Sequence, residues 1–294
     1  MDTPELRKIV HTKLPFICAD FLGLTNIIEE KPLNQVVDYL DAFNYVMVET
    51  NVYCASNITC LPKIQFISDS ALVFIDNATK SIDFENYVKH MVKFLSVVLH
   101  KTIYDLNHRK ACKRIPLRAA LAFDEYIGMS QSRVFKTFSK INYSPDDRID
   151  FYVPIITGKA VVESYDWERR QNWLGASFCP KAYRCMNDEH SKLLEELKSL
   201  KLIIEYDVPI KDNDVTSRQQ KTYAINFNFE GYYEFLRYNL EKLEKQYAAV
   251  GKDISGKYKA AKIFLDFCNG RGFVISKQLL NNGDKGIMTT SRQP

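Results

Sequence analysis

The chain has 294 residues, 46% hydrophobic and 26% charged, a composition that excludes a disordered, collagenous or coiled-coil protein and supplies ample apolar side chains for a core. Its 40 basic and 36 acidic residues leave a formal charge of +4, too small an excess for a nonspecific polyanion binder. Nucleic acid is therefore not expected as a partner, and a local phosphate site stays open. Apolar runs such as Ala71-Leu72-Val73-Phe74-Ile75 are far shorter than the roughly 20 residues of a membrane span. Met1 to Lys13 is charged and carries no apolar signal core. The seven cysteines (18, 54, 60, 112, 179, 185 and 268) form no CxxC pair, so neither a disulfide framework nor a zinc site is expected. The expectation is a reduced, cytoplasmic protein with no membrane partner.

Leu14 to Asp20 is a short apolar run closed by an acid. With Phe21-Leu22-Gly23-Leu24-Thr25 behind it, the pattern is a buried strand, a turn and a helix start. Pro32 fits the first turn of a longer helix whose apolar positions Leu33, Val36, Val37, Leu40 and Phe43 keep helical spacing. Alternation from Ile64 to Phe74 predicts two strands folded about Ser68-Asp69-Ser70, a hairpin with an acid at its tip. Phe84, Tyr87, Val88, Met91, Phe94, Leu95 and Val98 mark a long amphipathic helix capped by Asp83 or Ser81. Strands follow at Leu117 to Phe123 and Tyr152 to Ile156, the second leading through Gly158 into a helix containing Glu163 to Gln171. Leu174 to Phe178, Leu202 to Ile210 and Thr222 to Phe229 read as further strands, with a short helix near Leu193, Leu194 and Leu197. After about Gly231 the pattern turns helical, with Leu236, Leu240, Leu243 and Tyr247 on one face. The order predicts an α+β fold, a mixed sheet flanked by helices over 1–230, with a helical C-terminal extension over 231–294. No GxGxxG or GxxxxGK[ST] is present.

Asp20 ends a strand and Asp69 sits on a hairpin turn, so adjacent strands of one sheet would bring both carboxylates to a shared divalent ion. Hard oxygen ligands suit Mg²⁺ or Mn²⁺, with water and substrate phosphate completing the coordination. Phe21, Leu22, Gly23, Leu24 and Thr25 lie between strand and helix, where free N–H groups favour phosphate and Gly23 permits close approach. The plainer alternative is that Asp20 caps a helix and Asp69 only forms a turn. Arg118 alternates with apolar strand residues, so it either reaches an edge or points into a cleft. Lys211 belongs to the hydrophilic stretch Lys211-Asp212-Asn213-Asp214, and Glu168, Arg169, Arg170 and Gln171 read as a charged helix face. The five histidines show no metal spacing and no nucleophilic partner.

Four segments in order resemble the class III nucleotide cyclases: Phe16-Ile17-Cys18-Ala19-Asp20-Phe21-Leu22-Gly23-Leu24-Thr25, Ile67-Ser68-Asp69-Ser70-Ala71-Leu72-Val73-Phe74, Pro116-Leu117-Arg118-Ala119-Ala120-Leu121 and Gly158-Lys159-Ala160-Val161. The resemblance spans Leu14 to Phe229. It implies two metal ions per site, Mn²⁺ or Mg²⁺, held by Asp20, the Phe21 carbonyl and Asp69. It also implies phosphate contacts from Phe21 to Thr25, Arg118 and Lys211, and a base-reading role for Lys63, six residues before Asp69, with Gln65 beside it. Purine cyclases carry an Asn and an Arg where Val162 and Asp166 stand, and an adenine-reading acid where Ile155 stands.

The run from Gly158 to Glu168, continued by Gln171-Asn172-Trp173-Leu174-Gly175, instead resembles the pyrimidine cyclases of bacterial Pycsar antiphage systems. That likeness implies a homodimer converting UTP to cyclic UMP, or CTP to cyclic CMP, as a second messenger for a separate effector that meets the product rather than the enzyme. A catalytically silent nucleotide-binding module would keep the same fold. A polymerase or diguanylate cyclase of related palm architecture would carry an acidic pair at the hairpin, where Ser68-Asp69-Ser70 has one acid.

Overall fold

A computed structural model describes residues 10–55, 58–75, 82–104, 116–133, 151–211, 218–249 and 254–281. Strand β1 (Val10–Phe21) is followed by helices α1 (Leu24–Glu30) and α2 (Leu33–Tyr53), the hairpin β2 (Lys63–Ile67) and β3 (Ser70–Phe74), and helix α3 (Phe84–Tyr104). Next come the long β4 (Leu117–Arg133), β5 (Phe151–Gly158), α4 (Lys159–Arg170), β6 (Gly175–Phe178), α5 (Pro180–Glu189) and α6 (Ser191–Ser199). Strands β7 (Ile203–Ile210) and β8 (Arg218–Ile225) precede α7 (Tyr233–Ala249), α8 (Ser255–Gly270) and α9 (Gln278–Asn281). The sheet runs β2-β3-β1-β4-β6-β8-β7, with β5 on the far half of β4. β4 and β6 run parallel and the other pairs antiparallel, which makes the fold the expected α+β mixed sheet.

Both faces of the central strands are covered, which is why Leu14 to Phe21 reads as a nearly unbroken apolar run. Alternation sends Ile17, Ala19 and Phe21 to one face, where Phe21 meets Tyr39 and Phe43 of α2 at ring separations of 6.3 and 5.9 Å. Cys18 and Asp20 take the opposite face, together with their partners Ala120 and Arg118 on β4. Gly158 has φ +142°, and a Cβ there would lie 2.5 Å from the Tyr126 Cα, so glycine is what lets β5 close against β4 before α4 begins. The cap of α3 is Asp83, whose carboxylate accepts the Asn86 N–H at 3.2 Å; Ser81 lies outside the described residues.

Three expectations need correction. Leu33 and Val37 do not join the core: α2 buries Val36, Phe43, Val46 and Met47, and Leu33 is 77% exposed. The predicted strand from Thr222 to Phe229 ends at Ile225, because Asn226 Nδ2 donates to the Lys201 and Phe273 carbonyls and draws the chain out of the ladder. Helix α5, a short polar segment opened by Pro180, was not anticipated. Helices α7 and α8 bury Leu236, Leu240, Tyr258, Phe264 and Leu265 in the same core as the sheet, and Asn239 donates to the carbonyls of Ile103 and Tyr104 at the end of α3.

Two buried histidines tie α3 to its neighbours. The His90 ring lies 2.9 Å from Asn51 Oδ1 and 3.1 Å from the Cys54 carbonyl, and His100 Nδ1 lies 3.3 Å from the Phe227 carbonyl. Burial pushes both imidazoles down from 6.5 to about 4. Because the folded pKa lies below the unfolded one, the neutral rings contribute stability above pH 6.5 that is lost as the pH falls through about 4, on the order of 3 kcal/mol each. Urea unfolding between pH 7 and 4 should therefore show a falling midpoint. His100→Gln, which keeps a neutral donor, should flatten that slope.

Candidate functional site

The hairpin tip and the end of β1 are locked together by a backbone hydrogen bond, the Phe21 N–H donating to the Asp69 carbonyl at 2.8 Å. Asp20 is opposite Ser70 on β3 and opposite Arg118 on β4, and Arg118 is in turn opposite Gly175 on β6. One rung of the sheet thus carries Ser70, Asp20, Arg118 and Gly175. The Ser70 hydroxyl donates to the Asp20 carboxylate at 3.2 Å, and an Arg118 guanidinium nitrogen stands 3.7 Å from its other oxygen. The Asp20 pKa is raised by burial first, then by repulsion from Asp69, while Arg118, Ser70 and Lys257 act against that rise. Two mutually repelling carboxylates and an adjacent strand-end carbonyl are hard oxygen donors. Asp20, Asp69 and the Phe21 carbonyl therefore fit Mg²⁺ or Mn²⁺.

Leu22 and Gly23 make the turn out of β1, with the Leu22 N–H on the Pro116 carbonyl at 2.9 Å, and Leu24 opens α1. Gly23 adopts φ +90°, the left-handed region that a β-carbon disfavours. The side chains of Thr25 and Ile155 lie outside the described residues.

Arg118 points inward, which rules out the reading in which it reaches an edge. It is 4% exposed, its Nε donates to the Glu168 carboxylate, and its Nη1 donates to the Gln171 carbonyl at 3.0 Å. Glu168, 2% exposed, and the fully buried Gln171 are therefore not a solvated helix face; Arg169 and Arg170 alone keep that role. The Gln171 side chain makes three hydrogen bonds: its amide N–H donates to the Ala119 carbonyl, and its oxygen accepts from Trp173 Nε1 and the Ser177 hydroxyl. The signal was in the sequence, since Ala160, Ser164, Trp167, Glu168 and Gln171 keep the spacing of one helix face. Burial lifts the Glu168 carboxyl to about 6 despite the Arg118 charge beside it.

Lys211 follows β7 directly and donates its backbone N–H to the Arg170 carbonyl at 2.7 Å. Its side chain is exposed, and its electrostatic neighbours include Arg118, Glu168 and Asp20. Lys257 in the first turn of α8 joins the same set. Burial, with Arg118 and Lys211 nearby, pushes its amine down to about 8. Lys257 carried no local signal, because nothing in the chain near it indicates which strand its helix meets.

Lys63 and Gln65 share the Asp20 face of the sheet, since Gln65 is opposite Leu72 and Leu72 opposite Cys18. They stand apart from the carboxylates. Two strands across, with Gln65 two residues along and Lys63 four, their Cα atoms lie roughly 12 Å (Gln65) and 17 Å (Lys63) from Asp20. The side-chain oxygen of Gln65 is buried without a hydrogen-bond donor among the described residues.

No protein-family profile matches the chain. No curated protein sequence matches it either. Solved structures do match. The catalytic core of a rhodopsin-guanylyl cyclase with converted specificity, in complex with ATPαS, aligns at TM-score 0.50 and 8% identity over 75% of this chain and 98% of that one. The fold is that of a class III nucleotide cyclase. The guanylate cyclase domain of RhGC from Catenaria anguillulae in complex with GTP aligns at TM-score 0.49, 9% identity and 74% and 97% coverage. The adenylyl cyclase CyaB from P. aeruginosa aligns at TM-score 0.44, 16% identity and 74% and 95% coverage. At such identities the likeness is one of fold. No described helix is long and apolar enough to cross a membrane.

Removing one partner of a buried ion pair strands the other charge. Glu168→Ala should lower the unfolding free energy by about 3–5 kcal/mol in urea titrations, and Glu168→Gln, which can still accept from Arg118, by clearly less.

Proposed function

We propose that the protein is a nucleotide cyclase acting on a pyrimidine triphosphate, UTP before CTP. The observation that carries the reading is the meeting of Asp20, at the end of β1, with Asp69, at the turn before β3, joined through the Phe21 N–H, within a cyclase fold. In the reaction, the ribose 3′-oxygen forms a bond to the α-phosphorus, the bond from that phosphorus to the bridging oxygen breaks, pyrophosphate leaves and the 3′ proton passes to solvent. Nucleophile and phosphorus belong to one substrate, so orientation and charge stabilisation carry the catalysis. Divalent ions bound by Asp20, Asp69 and the Phe21 carbonyl would acidify the 3′-hydroxyl and neutralise phosphate charge. The turn at Leu22 and Gly23 brings the phosphate chain close to the backbone, and Lys211 meets its outer end.

The preference for a pyrimidine rests on residue chemistry. Ile155 cannot accept the adenine amino hydrogens, and leaving that group unpaired would cost about 1–3 kcal/mol. The orphaned acceptor of Gln65 fits the N3–H of uracil, with Lys63 donating to O4. The same acceptor fits the cytosine amine, which keeps cyclic CMP as the second reading. The resemblance to Pycsar cyclases makes the product a messenger in antiphage defence, read by a separate effector.

Incubation with UTP, CTP, ATP and GTP at equal concentration in Mn²⁺, followed by product identification, should yield cyclic UMP foremost. Predominant cyclic AMP or GMP would sink the pyrimidine assignment. Asp20→Asn and Asp69→Asn should each lower turnover by more than about 10²-fold with little change in melting, because each removes a metal ligand and relieves repulsion in the free protein.

We also propose a two-fold symmetric dimer with sites between protomers. Leu33, Val37, Tyr45, Val48 and Val52 are exposed along one arc of α2, an apolar surface of the kind that partners cover. Light scattering should give the mass of two chains, and Val37→Glu combined with Val52→Glu should give one chain without turnover. A fully active single chain would overturn the dimeric site.

A further inference from the structure

We infer that the C-terminal helical pair α7–α8 completes the polyphosphate site from within the same chain, with Lys257 as a triphosphate-binding residue. The inference deepens the cyclase reading and rests on it. Helices α7 and α8 lie beyond the segment Leu14 to Phe229 that carries the sequence resemblance, so the motifs assign them no part in the chemistry.

Their placement is fixed at both ends of the candidate site. At the phosphate turn, a Cβ built on Gly23 would lie 3.8 Å from the Tyr247 hydroxyl of α7 and 4.0 Å from Ile254, the residue before α8. At the other end, the Leu174 N–H meets the Lys257 carbonyl at 3.4 Å. Leu174 directly precedes Gly175, the rung partner of Arg118, so the backbone of Lys257 is held beside the strand that continues the Asp20 rung. Trp173 fixes this contact from below, meeting Phe264 of α8 edge-on at 5.0 Å, and its ring leaves no room for a β-carbon at Gly175.

The charges around Lys257 indicate what it binds. Its electrostatic neighbours are Arg118, Lys211, Asp20 and Glu168. Arg118 is already matched by Glu168, by the Gln171 carbonyl and by the Asp20 carboxylate 3.7 Å away. Asp20 and Asp69 are the donors of the cation site. Lys211 and Lys257 remain, two cations close enough for Lys211 to disfavour the charged form of Lys257, an arrangement that is unfavourable until an anion enters. A magnesium- or manganese-bound triphosphate still carries surplus negative charge on its β- and γ-phosphates, and two ammonium groups match it. On this inference Lys257 meets the β- and γ-phosphates, which a monophosphate lacks.

Isothermal titration of the full-length protein with the non-cyclisable α,β-imido analogues of UTP, CTP, ATP and GTP in Mn²⁺ tests this, with UMP as the short control. Lys257→Met, which keeps the aliphatic stem and the packing, should weaken the best-bound analogue by about ten- to hundredfold and leave UMP unchanged, with unaltered melting. Lys257→Arg should recover most of the loss. Wild-type affinity for the triphosphate analogue in folded Lys257→Met would overturn the role of Lys257 and leave the cyclase reading standing. Failure of the wild-type chain to bind any of the four analogues would overturn the cyclase reading, and this inference with it.

Discussion

The rung that joins Ser70, Asp20, Arg118 and Gly175 is the constraint on which the candidate site depends. Strand register places these residues side by side across β3, β1, β4 and β6, and a slip of one residue in the pairing of β1 would turn Asp20 to the opposite face. Register in turn is secured by the two covered faces, because Ile17, Ala19 and Phe21 pack on one side while Cys18 is buried on the other. The carboxylate is therefore held by hydrophobic packing it takes no part in.

Electrostatics makes the same region costly. Glu168 and Arg118 are almost wholly removed from water, and such a pair persists only where hydrogen bonds satisfy what the ion pair leaves over. Gln171 supplies that satisfaction through its carbonyl, while its side chain is anchored by Ala119, Trp173 and Ser177. The polar interior beside Asp20 is thus a connected network that orients the Arg118 guanidinium between the carboxylates of Glu168 and Asp20. Free carboxylates at Asp20 and Asp69 repel each other, and a bound divalent cation would relieve that repulsion.

The helices after Gly231 are built into this arrangement. Their apolar face shares the core of the sheet, and their polar first turn at α8 reaches the rung. The long side chains of Tyr247 and Ile254 reach contact distance of the Gly23 turn, where the positive φ favours glycine. A substrate bound at the turn would meet elements from both ends of the chain.

By itself the sequence determined the succession of strands and helices almost throughout, since periods of 2 and 3.6 are imprinted by burial on one face. It also marked Asp20, Gly23 and Asp69, whose residue types at strand ends and turns carry a local reason. Ser164, Trp167, Glu168 and Gln171 could have been read as a buried face, but a glutamate among arginines reads as solvated until the partner that neutralises it is known. Only the tertiary structure decided that Arg118 turns inward, that Leu33 and Val37 stay outside, and that α8 brings the Lys257 backbone against Leu174. Each of these depends on which surface faces the residue across a distance in sequence, and such pairings arise from packing between elements that no local period encodes.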